Sequence, residues 1–213
     1  MSGDQRKQGT GAILAGGSSR RMGAPKSQMR IPSLTMPRSE VFMLRAVADV
    51  LAECCNSLIL VGGSRLDMQL VPEAVALQDD QPGHGPLAAI MTLLRSNVND
   101  SYVVVPCDLP GITTEIVVAL RDAKHSRPLA ALKFADEPGP RPLPIRVHKS
   151  LLPHIESIYN KGSRSIRALL DAEHVDTVAA PDHWKAALAN VNDRDDLRNV
   201  LSPSKDRLSF PQR

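Results

Sequence analysis

The sequence predicts an α/β protein in which a mostly parallel sheet is covered by helices on both faces. Two observations carry that prediction. Short apolar runs alternate with stretches of helical periodicity, and several of those runs lack the polar alternation of a half-exposed strand. A third bears on domain count, because a chain of 213 residues can bury most of its apolar surface in one core.

Taken in chain order, "GAILAG" (11–16) reads as the first strand, "SLILVGG" (57–63) as the second, "AVALQ" (74–78) as the third and "SYVVVPCD" (101–108) as the fourth. The first, second and fourth lack polar alternation, as strands buried on both faces do. "LAALKF" (129–134) and residues 142–147 supply further strands, on either side of the proline-rich loop "DEPGPRPLP" (136–144). Helical stretches lie between them. The first covers 39–55, with Ser39 as a plausible N-cap and Val41, Leu44, Val47, Val50 and Leu51 at helical spacing. Others cover 85–96, with Pro86 in the first turn, 113–125, and 149–160 with Gly162 as a stop; further helices start at about 164 and near 194. Residues 1–10 read as a flexible arm and 202–213 as a polar tail.

Composition narrows the function classes. Hydrophobic residues make up 42% of the chain, yet no apolar run approaches the ~20 residues that span a bilayer, so no membrane partner is expected. The opening "MSGDQRKQGTG" lacks the features of a secretory signal, and a cytoplasmic location follows as the default. The net charge is +3 and the pI about 8.9, but aromatic residues are only 3%. With neither stacking platforms nor a recognition motif, nucleic acid is not the expected partner, and small anions are. Cys54, Cys55 and Cys107 form neither a disulfide framework nor a zinc spacing, and read as buried, reduced and structural. The six histidines show no metal-ligand spacing; His84 reads as a turn residue and Trp184 as packing. Asp195 and Asp196 read as a solvated helix face rather than a catalytic pair.

Ligands of open α/β sheets collect beyond the carboxyl ends of the strands, and three motifs fall there. In "AILAGGSSRRMGAPK" (12–26), Gly16 and Gly17 let the backbone approach a phosphate, and Arg20, Arg21 and Lys26 supply positive charge. On residues alone a Gly-Gly turn followed by solvated cations looks similar. The spacing is neither that of the Walker loop nor that of the dinucleotide fingerprint. "LQDDQPGHGPLAAI" (77–90) combines Asp79 with a glycine turn that opens a helix, which is also how an ordinary capped loop is built. "VVVPCDLP" (103–110) ends a buried strand on Asp108, either a turn or capping residue or an oxygen ligand for Mg²⁺. Near the end, "ALANVNDRDDL" (187–197) places Asn190 and Asn192 before a helix that Asn192 or Asp193 could cap.

"LAGGSSRRMGAPK" (14–26) resembles the signature of the molybdenum cofactor guanylyltransferases. The wider nucleotidyltransferase superfamily usually has Ala-Gly where this chain has Gly16 and Gly17. The likeness extends over about residues 11–200 and is weakest between 130 and 185. It implies a Rossmann-like nucleotidyltransferase domain over 11–201. It also implies nucleotide contacts from Leu14, Ala15, Gly16, Gly17, Lys26, Gly62, Asp79, Gly85, Pro86 and Asp108. Lys26, Asp108, Arg20 and Arg21 would be catalytic, Asp108 would bind Mg²⁺, and Arg141, Arg164, Asn190 and Asn192 would meet the acceptor.

The activity implied is Mg²⁺-dependent transfer of GMP from GTP to the terminal phosphate of molybdopterin, with transient contacts to molybdoenzyme maturation proteins. Cytidylyl transfer, transfer to another phosphorylated acceptor, and a non-catalytic nucleotide-binding role are the alternatives. Two departures bear on them. After Lys26 the family's strand and "G-K-P-L" turn are replaced by "SQMRIPSLTMPRSEVFML", and Gly62, Gly63 and Ser64 stand where the family often has an asparagine beside the base.

Overall fold

The computed structural model describes residues 7–16, 25–33, 39–192 and 196. The first half of the chain contributes β1 (Thr10–Leu14), β2 (Arg30–Pro32), β3 (Glu40–Phe42), α1 (Met43–Cys54), β4 (Ser57–Val61), α2 (Arg65–Leu70), β5 (Val75–Leu77) and α3 (Pro86–Arg95). The second contributes β6 (Ser101–Pro106), α4 (Thr114–Arg121), β7 (Leu129–Lys133), β8 (Ile145–His148), α5 (Leu152–Asn160), α6 (Ile166–Ala172) and β9 (Asp176–Ala179).

Seven strands form one sheet in the order β5-β4-β1-β6-β8-β7-β9. Strands β5, β4, β1 and β6 are parallel, β7 and β9 are parallel, and β8 runs antiparallel to both of its neighbours, β6 and β7. The expected α/β architecture with a mostly parallel sheet is therefore present, with one reversed strand.

Helices cover both faces, which explains the continuous apolar runs. On β1, Ile13 enters a core with Leu44, Val47 and Leu51 of α1 and Ile116 and Leu120 of α4. Ala12 and Leu14 point the other way, into a core with Leu87 and Ile90 of α3, Ile155 of α5 and Leu169 of α6. Truncating such a fully buried leucine to alanine costs about 2–5 kcal/mol.

Four local differences from the sequence reading have physical causes. The helix expected from residue 39 starts at Met43, and Ser39 does not cap it. Residues 40–42 instead form β3, paired with β2 through Ile31 opposite Val41, while Ile31 and Met43 join Val191 in a small buried cluster. Tertiary burial of Ile31 thus overrides a helical phase that Val41 shares with Leu44. Second, the arm expected over 1–10 is tied down earlier, since Thr10 opens β1 and Gln8 N–H donates to the Cys54 carbonyl at 3.1 Å. Third, the strand expected over 142–147 begins at Ile145, leaving Pro142 and Leu143 in a loop. Finally, β9 adds an unanticipated parallel strand at the sheet edge. Gly162 ends α5 as expected, in a left-handed conformation (φ 95°). The helix expected near 194 lies outside the described residues except for Asp196.

Candidate active site

Adjacent parallel strands place their carboxyl ends side by side, and β1 and β6 do so here: Cys107 N–H, just past β6, donates to the Leu14 carbonyl at 3.1 Å. Asp108 follows at once. Its carboxylate is 18% exposed, and its Oδ2 lies 3.0 Å from the ammonium of Lys26. Lys26 stands on a short 3₁₀ turn, Lys26–Gln28. Gln28 fastens that turn by donating to Ser64 Oγ at 2.9 Å and Asp67 Oδ1 at 3.3 Å. Asp67 is itself buried and closes a capping box with Ser64 at the start of α2.

The segment 190–192 completes the group. Val191 is fully buried, and its N–H donates to the Asp108 carbonyl at 2.9 Å, so the asparagines on either side face the ion pair. Asn190 Nδ2 donates to Asp108 Oδ1 at 2.9 Å, and Asn192 Oδ1 accepts from Lys26 at 2.6 Å. Burial pushes the neighbouring Cys107 thiol up to about 12, so at neutral pH it stays protonated.

A cavity of about 460 Å³ opens beside this cluster, within the range of small-molecule sites. Leu14, Ala15, Gly16, Lys26, Asp79, Gly85, Pro86, Asp108, Arg141 and Asn190 all line it, so most of the residues that the sequence singles out are brought together. Asp79 follows β5 by two residues; its Oδ1 accepts from Gln81 N–H at 3.0 Å and from the Thr92 hydroxyl at 3.3 Å. Gly85 adopts φ 85° at the start of α3, and a Cβ there would stand 3.1 Å from the Arg164 carbonyl.

Three of the expected site residues are placed otherwise. Gly62 supports the site from behind, where a Cβ would sit 3.4 Å from Gly16 N. Asn192 touches the site through Lys26. Arg164 stacks its guanidinium 3.8 Å from the Tyr159 ring centroid and donates to the carbonyls of Tyr159 and Ser163, so its charge is committed locally. Gly17, Arg20 and Arg21 lie outside the described residues.

The structure also adds residues that the motifs do not mark. Ser27, Gly83, Cys107, Pro142 and Leu143 join the lining, and His84 Nδ1 pairs with the Tyr159 hydroxyl at 2.6 Å, tying the glycine loop to α5. A serine directly after Lys26 was the available signal for the first of these; the pairing across 75 positions has none in the sequence. Trp184 is buried, with its indole N–H on Glu115, and all three cysteines are buried and free.

Among the described residues no group of three or more His, Cys, Asp or Glu side chains could hold a metal ion. A single carboxylate beside a cavity nonetheless fits Mg²⁺, which takes one or two carboxylates and completes its shell with phosphate oxygens and water. No helix of the described residues is long and apolar enough to cross a membrane.

A lysine held against one carboxylate, past the ends of two central parallel strands and beside a cavity of small-molecule size, is an arrangement compatible with a phosphate-bearing ligand. Fold and site together define a nucleotidyltransferase. The MobA-like NTP transferase domain matches residues 11–195, and the chain belongs to that family. It is 30% identical over 188 residues to the molybdenum cofactor guanylyltransferase of Serratia proteamaculans, covering 88% of this chain and 91% of the relative. It is 29% identical over 196 residues to the probable molybdenum cofactor guanylyltransferase of Pelotomaculum thermopropionicum, covering 90% and 82%. The molybdopterin-guanine dinucleotide biosynthesis protein A of Archaeoglobus fulgidus shares the fold, with a TM-score of 0.70 at 22% identity over 90% of this chain and 96% of that one.

Proposed function

We propose that the protein transfers GMP from GTP to the terminal phosphate of molybdopterin, in a Mg²⁺-dependent reaction of cytoplasmic molybdenum cofactor biosynthesis that releases pyrophosphate. The observation that carries this reading is the Lys26–Asp108 pair flanked by Asn190 and Asn192, at the carboxyl ends of β1 and β6. The names of the relatives support the guanylyl group and the acceptor.

The chain's own residues supply binding, alignment and charge. The Ala15 N–H is taken by the Val61 carbonyl at 3.0 Å, so Gly16, which has no Cβ, is where phosphates can approach the backbone closely. Lys26 carries a point charge on a flexible stem and offsets negative charge that shifts toward pyrophosphate as it leaves. Asp108 would hold Mg²⁺, which when bound supplies further charge neutralisation on the phosphates. Asn190 fixes the Asp108 carboxylate, and Arg141 brings a cation to the same cavity for the acceptor. The attacking phosphate is already ionised, so no general base is required, and catalysis rests on in-line alignment and electrostatics.

Calorimetric titration with GTP, CTP, UTP and ATP, each with and without Mg²⁺, tests the reading. Tight binding of GTP that requires magnesium is the expected result. Preference for CTP would move the activity to cytidylyl transfer, and binding of no nucleotide would remove the catalytic reading altogether.

A further inference from the structure

We infer that Thr92 is a positioning residue that aims Asp79 at the base edge of the bound nucleotide and so sets base selectivity; the inference rests on the guanylyl reading above. Every residue of α3 from Leu87 to Leu94 is buried, and Thr92 is the one hydroxyl among them, 5% exposed. A polar group in such a stripe needs partners, and this one has two. Its oxygen accepts the Asp80 N–H at 3.1 Å, which turns its own proton toward Asp79 Oδ1, 3.3 Å away.

With Gln81 N–H as a second donor, Oδ1 has both acceptor positions filled. Oδ2 is left with its lone pairs, 3.9 Å from where a Cβ on Gly16 would stand and at the corner where Gly62 brings no side chain. Asp79 lines the cavity. An ionised carboxylate oxygen only accepts, so the group that it favours is a donor edge. Guanine offers two neighbouring donors, N1–H and the N2 amine, and inosine keeps only the first. Thr92 is not among the residues that line the cavity, and acts through the carboxylate that is.

The test titrates the wild type, Thr92→Val and Thr92→Ser with magnesium and GTP, ITP or 2′-deoxy-GTP, alongside thermal unfolding to confirm that each is folded. The wild type is expected to prefer GTP over ITP by about tenfold, the span of one charge-assisted hydrogen bond. Thr92→Val should lose that ratio and Thr92→Ser should keep it; Thr92→Ala serves where the valine fails to fold. A purely structural threonine would lower stability and leave the ratio alone, which overturns the inference. Equal wild-type affinity for GTP and ITP, or an effect confined to the 2′-deoxy comparison, overturns it as well. Failure of the wild type to bind GTP overturns instead the guanylyl reading on which it stands.

Discussion

The ammonium of Lys26 and the carboxylate of Asp108 stand 3.0 Å apart although 82 positions separate them in the chain. Neither strand end alone creates that meeting. β1 and β6 bring their carboxyl ends together, the 26–28 turn is fastened by Gln28, and the 190–192 segment packs Val191 beneath the pair. Both side chains are mostly buried, 23% and 18% exposed, and the cost of desolvating two charges offsets much of their attraction, so the net contribution of the pair to stability is small.

Asp108→Asn should therefore separate activity from folding. The amide keeps the shape and removes the charge that would hold Mg²⁺ and orient Lys26. Nucleotidyl transfer, followed as pyrophosphate release, is expected to fall by about a hundredfold or more. The thermal midpoint should stay within a few degrees of the wild type. Near-normal turnover in the variant would remove Asp108 from the metal site.

Gly85→Ala is expected to cost about 1–3 kcal/mol, because an L side chain is strained at its φ of 85° and the added methyl would press on the Arg164 carbonyl at 3.1 Å. Gly162→Ala is the control. Its φ is 95°, but nothing stands within 4 Å of the new methyl, so backbone strain alone is felt there. Urea denaturation of the two variants should rank Gly85→Ala as the more damaging, and only that variant should weaken nucleotide binding, since Gly85 lines the cavity.

The parts of the fold that sequence patterning reveals are those where local and tertiary preferences agree. β1, β4 and β6 are apolar beyond their first residue because both of their faces are covered, and such runs read as strands without help. β2 and β3 are three residues each, and their pairing depends on burial of Ile31 against Met43 and Val191, which no window of sequence contains. The reversed direction of β8 is likewise a property of the return path through the 136–144 loop. At the site, Lys26, Asp79 and Asp108 are legible because their motifs follow strand ends. Thr92 is not, since a threonine in an apolar helix looks like a tolerated core residue until its two partners are seen. Arg164 is the converse case: a cation in a suggestive motif whose guanidinium is taken up by a ring and two carbonyls.

Arg146 offers a stability test away from the cavity. Flanked by Ile145 and Val147, it alternates in the manner of a solvent-facing strand residue, yet it is 3% exposed. Its guanidinium donates to the carbonyls of Lys124 at 2.9 Å and Arg127 at 3.4 Å, contacts His125 and lies 3.8 Å from Asp176. Arg146→Ala strands those acceptors in a buried site and should cost about 3 kcal/mol in chemical denaturation. Nucleotide affinity should be unchanged. A loss of affinity without a loss of stability would mean that this cluster communicates with the cavity.

The buried thiols make stability fall in alkali. Burial pushes Cys55 up to about 11 and Cys107 up to about 12, from an ordinary 9.0, and raises Cys54 as well. Between those limits the unfolded chain has released protons that the folded chain still holds. Stability is then complete below about pH 9 and declines as the pH rises toward 11 and 12. The urea midpoint is expected to be level between about pH 7 and 8.5 and to drop beyond, with the drop shallower in Cys55→Ala because one of the buried thiols no longer has to ionise on unfolding. A thiol reagent offers an independent check at about pH 8, where the folded protein should react only as fast as it opens. Rapid labelling of three thiols in the native protein, or an identical alkaline slope in Cys55→Ala, would show that these side chains are not held away from water.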